Sequence, residues 1–167
     1  MKKKSAVRSV LQLIYSVIAD FIILIGVIIV LLFCFGIRMN SVKTGSMEPT
    51  IHTGSLCLVN KNTDYSEIKE GDIITFLIDE KMNVTHRVKE ISDKGFITKG
   101  DANNTEDAVI VTEKEYVGKV ILSISMIGYI FLFIHTKYGL VITIAVFVIF
   151  IILGFLIRDD EGNEDKD

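Results

Sequence analysis

The chain has 167 residues and a formal net charge of −3, half of its residues are hydrophobic, and its mean hydropathy is +0.46. This length allows one modest domain together with membrane helices, and this hydropathy excludes an ordinary soluble globule. The sequence has no clustered basic face, phosphate-binding loop, dinucleotide fingerprint, calcium loop or Cys/His metal cluster. We therefore expect no nucleic-acid partner, no cofactor and no metal.

The first apolar segment predicts a transmembrane helix. Residues 21–37 carry no charge and would form about 26 Å of helix at about 1.5 Å per residue, which nearly spans a bilayer core. Asp20 would cost about 2.5–3.5 kcal/mol at the bilayer centre, so we place it near the interface. The predicted transmembrane helix 1 is therefore residues 17–37, with Arg38 at its outer end.

Basic residues on one side of this span predict its orientation. The first eight residues hold three lysines and one arginine, so the positive-inside rule places residues 1–16 in the cytoplasm and residues 38–120 on the extracytoplasmic face. A cleavable secretory signal is the alternative, but the apolar run is long for a signal core and residues 34–38 lack the small-x-small pattern that processing needs. We therefore expect a retained anchor.

Residues 38–120 predict a mainly β domain. Runs of β-prone residues, most of them separated by glycine-containing turns, occupy residues 55–61, 73–78, 84–91, 96–99 and 116–122. At most one helical turn is expected, within residues 64–70. Cys34 lies in the span and Cys57 in this domain, so no intramolecular disulfide is expected. We expect Cys57 to react with thiol reagents added from outside the membrane.

The C-terminal apolar region predicts a second membrane crossing. Residues 138–157 carry no charge and are long enough to span a bilayer as transmembrane helix 2. Residues 121–137 are expected to form the end of a strand and then a membrane-surface segment, because their apolar part is too short to cross. Residues 158–167 predict an acidic cytoplasmic tail that is solvated and disordered.

Ser46 is the candidate nucleophile. It lies in the sequence KTGSMEPTI, residues 43–51, soon after the first apolar run. Gly45 and the chain's only proline, Pro49, restrict the backbone around it, so the segment could hold one hydroxyl in a fixed direction. A Gly-Ser turn alone is typical of ordinary loops. A serine becomes a nucleophile only when a base removes its proton.

Histidine is the usual base near neutral pH, and the chain has three. His86 lies in a β-prone run whose alternation turns its side chain to the opposite face from Thr85 and Arg87. A strand is a rigid support for a base, although a half-buried structural histidine would look the same. His52 lies in an apparent loop, and His135 lies at the membrane boundary, where an amphipathic ring is stable without catalysis.

A catalytic histidine needs an acceptor that fixes its tautomer. The segment KGDANNTED, residues 99–107, offers Asp101 and Asp107, and either carboxylate could orient the imidazole and stabilise the imidazolium. The ordinary interpretation of this segment is an Asx-rich turn in which Asp101 and Asn103 bond their own backbone. The residues alone leave the choice between the two aspartates open.

Short sequence boxes in the outer domain resemble, in order, those of type I signal peptidases. The boxes are TGSMEPT at 44–50, GDII at 71–74, THRV at 85–88, KGDAN at 99–103 with Asp107, and VGKV at 117–120. The histidine box is similar to the endoplasmic-reticulum and archaeal branch, also found in some Gram-positive bacteria, in which histidine replaces lysine as the base. The resemblance implies a signal-peptidase-like all-β catalytic domain flanked by N- and C-terminal transmembrane helices.

The resemblance also implies a role for each matching residue. Ser46 would be the nucleophile and His86 the general base. Asp107 is favoured as the third member of the triad, with Asp101 supporting the site. Thr44 stands where the family often has serine, and its hydroxyl would donate, with the Ser46 N–H, to the oxyanion of the tetrahedral intermediate.

The implied function is a membrane-bound serine endopeptidase, signal peptidase I, in a multi-pass cell-membrane protein. Its substrates would be exported preproteins whose N-terminal signal peptides end in a small-x-small sequence. One alternative is a non-catalytic membrane-tethered β domain that acts as an assembly or secretion factor. Another is a self-cleaving regulator, but such proteins usually use lysine and carry a DNA-binding part. The first alternative would have no need for Ser46, His86 and Asp107 together.

Overall fold

The computed structural model describes residues 2–79 and 82–159. They belong to two compact units, one built from residues 1–31 and 134–167 and the other from residues 32–133. In chain order the elements are α1 (Lys2–Cys34), β1 (Ile37–Ser41), β2 (Leu56–Asn60), a 3-10 turn (Tyr65–Glu67), β3 (Ile73–Ile78), β4 (Met82–Ser92), β5 (Gly95–Lys99), β6 (Tyr116–Ile124), α2 (Ile127–Ile134) and α3 (Lys137–Asp159).

The first unit consists of two apolar helices. Within α1 and α3, Ser9–Cys34 and Lys137–Ile157 are long and apolar enough to cross a membrane. The helices pack closely, because the Tyr15 and Phe150 rings stack with 4.6 Å between centroids. A Cβ added at Gly154 would lie 2.1 Å from the Tyr15 hydroxyl oxygen, so a larger residue here would require the Tyr15 side chain to move.

The second unit is a six-stranded antiparallel sheet in the order β1-β2-β6-β3-β4-β5. Its apolar residues form two buried clusters. One cluster is Ile68, Ile74, Phe76, Val88, Phe96 and Val111, and the other is Met47, Ile51, Cys57 and Val59. The second cluster joins the loop after β1 to β2, and it therefore supports the segment that carries Ser46.

Helix α2 is docked on the sheet unit. A Cβ at Gly128 would lie 2.3 Å from the Ser55 carbonyl oxygen, and a Cβ at Gly54 would lie 2.0 Å from the Tyr129 ring. Gly54 also has a φ of +80°, which favours glycine. The large apolar side chains of α2 that stay exposed are Ile127, Tyr129, Ile130 and Phe133.

The predicted fold class is confirmed: the chain is mainly antiparallel β, with apolar helices at its N- and C-terminal sides. Strand β3 has the predicted bounds. The first helix, in contrast, ends at Cys34, and Ile37 begins β1, a strand that the sequence did not predict. Of the predicted acidic tail, residues 160–167 lie outside the described residues.

The expectation that Cys57 would react with external thiol reagents is wrong. Its side chain is fully buried in the cluster with Met47, Ile51 and Val59. This burial raises the pKa of the Cys57 thiol to about 11, so very little thiolate forms near neutral pH. Membrane topology therefore has to be measured with a cysteine introduced elsewhere.

Candidate active site

Ser46 lies in a loop whose neighbours are anchored in the core. Met47 and Ile51 are almost completely buried, and the Ile51 N–H donates to the Met47 carbonyl oxygen at 2.9 Å. The Glu48 N–H donates to the Gly45 carbonyl oxygen at 3.1 Å, which closes the turn around Ser46. Burial of two large side chains next to a half-exposed serine fixes the hydroxyl's position while leaving it accessible.

His86 lies on β4, and its side chain contacts Ser46. Its Cα pairs with that of Ile74 on β3, and only 7% of the residue is exposed. The distance from His86 Nε2 to Ser46 Oγ is 3.0 Å. The alternation predicted from the sequence is present, because Thr85 instead bonds Thr75 at 2.9 Å between hydroxyl oxygens.

Asp107 completes a hydrogen-bonded chain with these two residues. Its Oδ2 lies 2.6 Å from His86 Nδ1, and the Thr98 hydroxyl donates to the same oxygen at 2.7 Å. An ionised carboxylate only accepts hydrogen bonds, so this contact selects the tautomer with the proton on Nδ1. The lone pair of Nε2 then faces the Ser46 hydroxyl, which is the arrangement that proton removal requires.

The segment that carries Asp107 also holds the backbone of Ser46. The Ala102 N–H donates to the Ser46 carbonyl oxygen at 2.9 Å. Gly100 lies so close that an added Cβ would be 2.5 Å from the same oxygen. A side chain at position 100 would therefore displace either the serine loop or its own segment.

Asp101 has a different partner from Asp107. Arg87 donates to both of its carboxylate oxygens, from Nε at 2.8 Å and from Nη2 at 2.7 Å, and also donates to the Gly71 carbonyl oxygen at 2.8 Å. The Arg87 guanidinium holds the pKa of the Asp101 carboxyl below its ordinary value. The same bond raises the pKa of Arg87. Sequence reasoning did not single out Arg87, although the planar guanidinium of arginine is well suited to a two-bond contact with a carboxylate.

The boxes at residues 71–74 and 117–120 connect the strands beside the site. Lys119 of β6 forms an ion pair with Asp72 at 2.8 Å, and the Val88 N–H donates to the Asp72 carbonyl oxygen at 2.8 Å. Burial alone would raise the pKa of the Asp72 carboxyl, but hydrogen bonds from Lys119 and the Lys69 N–H bring it below its ordinary value. Asp72 therefore connects β3, β4 and β6 as a structural carboxylate.

The other polar residues around Ser46 are arranged as follows. The Thr44 hydroxyl oxygen is 3.4 Å from Ser46 Oγ. His52 bonds the Glu48 carboxylate, which also accepts the Thr53 N–H at 2.9 Å. Of the three histidines, His86 is the one that contacts the serine hydroxyl in the part of the chain described. Across residues 2–79 and 82–159, no cluster of His, Cys, Asp and Glu could hold a metal ion.

A hydroxyl, an imidazole and a carboxylate in one hydrogen-bonded chain, carried on an antiparallel β unit, form the constellation that serine hydrolases use. The chain belongs to the signal peptidase family, peptidase S26, which matches residues 14–121. The predicted family of type I signal peptidases is thereby confirmed. The roles of the individual residues stay predictions.

Curated relatives agree with this family. The chain is 45% identical over 84 residues to signal peptidase I W of Bacillus subtilis (strain 168), covering 48% of this chain and 44% of that protein. It is 28% identical over 125 residues to the signal peptidase complex catalytic subunit SEC11C of Rattus norvegicus, covering 65% of each. It is 30% identical over 101 residues to the catalytic subunit SEC11 of Metarhizium acridum (strain CQMa 102), covering 53% of this chain and 59% of that protein.

The likeness to bacterial signal peptidase I W and to the SEC11 subunits agrees with the predicted histidine-containing branch. The chain spans less than two thirds of the length of each of these three relatives.

Proposed function

We propose that the protein is a membrane-bound serine endopeptidase that removes N-terminal signal peptides from exported preproteins. The observation that carries this proposal is the chain from Ser46 Oγ to His86 Nε2 at 3.0 Å and from His86 Nδ1 to Asp107 Oδ2 at 2.6 Å. Family membership supplies the reaction, and this geometry supports its assignment to three residues. A non-catalytic assembly factor would not need the three groups aligned.

The proposed reaction has two steps. In the first, Ser46 Oγ attacks the scissile carbonyl carbon while His86 Nε2 takes the hydroxyl proton, and that proton then passes to the leaving amine. In the second, water gives a proton to His86 and attacks the acyl-enzyme ester, and His86 passes that proton to Ser46 Oγ as the ester bond breaks and the carboxylate product leaves. Asp107 stabilises the imidazolium in both steps. We assign stabilisation of the oxyanion to the Ser46 N–H and the Thr44 hydroxyl.

The proposed substrate is a preprotein whose signal peptide ends in a small-x-small sequence. Such a segment would bind in extended form by adding to a sheet edge, and β1 is an edge strand that ends at Ser41, just before the serine loop. Shallow subsites would give specificity mainly by excluding larger side chains. Preproteins carry this sequence at the membrane surface, so a tethered site would meet it there.

We further propose a multi-pass cell-membrane protein with residues 38–120 on the extracytoplasmic face. The apolar lengths of α1 and α3 and the basic N-terminus support this topology. Residues 121–137 are proposed to lie on the membrane surface. In support, α2 exposes Ile127, Ile130 and Phe133, and α3 begins only three residues after α2 ends.

The function is tested by incubating the purified full-length protein in detergent with a panel of preproteins and sequencing the N-termini of the products. We expect a single cleavage after a small-x-small sequence. Preproteins with a bulky residue at the last position of that sequence should remain uncut, and Ser46→Ala should give no product. Cleavage by Ser46→Ala at the wild-type rate would refute the proposed chemistry.

The topology is tested with a membrane-impermeant thiol reagent on intact cells or spheroplasts. In a Cys34→Ser background, Asp93→Cys places a thiol at the exposed turn between β4 and β5. We expect strong labelling of Asp93→Cys and none of Lys166→Cys until the membrane is permeabilised. The buried native Cys57 is the internal control for folding, since its labelling would report an opened β unit. Labelling of Lys166→Cys from outside would contradict two spans.

A further inference from the structure

We propose that Thr98 is a positioning residue that holds the Asp107 carboxylate in its orientation toward His86. This inference rests on the proposed function. Thr98 bonds Asp107 twice: its hydroxyl donates to Asp107 Oδ2 at 2.7 Å, and its carbonyl oxygen accepts the Asp107 N–H at 2.8 Å. Backbone and side chain of the aspartate are thus both fixed to one residue of β5.

The burial of Thr98 indicates that its hydroxyl, and not only its shape, matters at this position. Thr98 is fully buried, and it lies on the same face of β5 as Phe96, which belongs to the apolar core. Valine has nearly the same shape and a high preference for strands, so packing alone would favour valine here. A buried hydroxyl costs free energy unless it is bonded. Its bond goes to the oxygen that faces His86 Nδ1.

His86 Nδ1 and the Thr98 hydroxyl both donate to Asp107 Oδ2, and the two hydrogen bonds have different roles. The contact with His86 lasts through the reaction and strengthens when the imidazole becomes charged. The Thr98 hydroxyl stabilises the ionised carboxylate and restricts its rotation, so that Oδ2 stays 2.6 Å from Nδ1. Without it, the carboxylate would sample other rotamers, and the histidine would spend less time with its Nε2 lone pair toward Ser46. Loss of the hydroxyl should therefore slow the chemical step and leave substrate binding intact.

The test compares hydroxyl-free and hydroxyl-containing variants in the full-length protein. We expect Thr98→Val to lower kcat about 10- to 100-fold with KM changed less than about twofold, because the lost bond affects the orientation of the catalytic base and not the contacts with substrate. Thr98→Ser keeps the donor and should stay within about threefold of the wild-type kcat. Rescue by serine would not be expected if only the shape of the threonine mattered, because serine lacks the methyl group that valine keeps.

Thr75 provides the matched control. It is also fully buried in the sheet, and its hydroxyl bonds Thr85 rather than a residue of the proposed triad. Thr75→Val should lower the melting temperature about as much as Thr98→Val and leave kcat within about threefold of wild type. Equal losses of kcat in the two variants would overturn the proposal, since a general loss of sheet stability would then explain both.

A double-mutant cycle adds a second readout. In the Asp107→Asn background, Thr98→Val should reduce kcat by less than about twofold, because a positioning residue has nothing left to position. If Thr98→Val lowers kcat by the same factor in the wild-type and Asp107→Asn backgrounds, the proposal is overturned. If Thr98→Val does not fold, Thr98→Ala removes the same hydroxyl with less bulk, and failure of both to fold would assign the hydroxyl to folding instead.

The outcomes separate this inference from the proposed function. Active Ser46→Ala enzyme would refute the function itself. Inactive Ser46→Ala together with a folded Thr98→Val of wild-type kcat would leave the function standing and refute only the role of Thr98. A rise in KM at unchanged kcat in Thr98→Val would refute positioning as well, because it would place the hydroxyl in substrate binding.

Discussion

His86→Ala is expected to lower the rate of preprotein cleavage by about four to six orders of magnitude. His86 Nε2 is 3.0 Å from Ser46 Oγ, and a serine hydroxyl is a weak nucleophile without a base. Ser46→Ala should cost about as much, and the double variant should lose little more, because the two groups act in one step. Single-turnover rates with a preprotein peptide in detergent would measure these losses.

The other two histidines are matched controls for this prediction. His52 bonds Glu48 rather than the serine, so His52→Ala should keep cleavage within about threefold of wild type, and His135→Ala should do the same. His86→Lys should not restore activity, since a lysine beside the Asp107 carboxylate would stay protonated and could not accept the serine proton. Activity of folded His86→Ala within tenfold of wild type would end the triad assignment.

Parts of the fold could be predicted from the sequence because local residues determine them. Ile73–Ile78 is a run of β-prone residues that follows the Gly71–Asp72 turn, and β3 has those bounds. The sequence of β1, IRMNS, is short and partly polar, and its extended form depends on pairing with β2. Because strand preference varies with the neighbouring strand, the sequence of β1 alone gave no signal.

The sequence indicated which residues of the candidate site could attack or accept a proton, but it did not settle which aspartate contacts the histidine. Ser46 and His86 could be singled out because few residue types can attack or accept a proton, and the structure brings these two together. The choice between Asp101 and Asp107 depends on the course of one irregular loop. In the structure Arg87, on the face opposite His86, bonds Asp101. Asp107 bonds His86 instead.

Asp107→Asn is expected to lower kcat about ten-thousandfold while the protein stays folded. The asparagine amide can turn its NH₂ group toward His86, which would favour the tautomer with the proton on Nε2 and leave no lone pair facing Ser46. In the His86→Ala background the same change should cost almost nothing further. Steady-state kinetics and thermal unfolding of the single and double variants would measure both quantities.

Asp101→Asn should behave differently, because Asp101 bonds Arg87 and not His86. We expect a smaller loss of kcat, about tenfold, together with a lower melting temperature at neutral pH. Since the bond with Arg87 lowers the pKa of Asp101 in the folded protein, the stability it provides is fully present above the ordinary carboxyl pKa, about 3.9. It is lost as the pH falls through the lower folded value.

The gap in melting temperature between wild type and Asp101→Asn should therefore be widest at neutral pH. It should narrow below about pH 4, where Asp101 of the unfolded chain takes up a proton, and close as the pH falls through the lower pKa of the folded protein. Asp107→Asn provides the opposite pattern at neutral pH, with a large loss of turnover at a nearly unchanged melting temperature. Thermal unfolding across a pH series, combined with kcat at neutral pH, distinguishes a carboxylate that supports the fold from one that orients the base. If Asp107→Asn keeps near-normal turnover while a stably folded Asp101→Asn is inactive, the roles of the two aspartates must be exchanged.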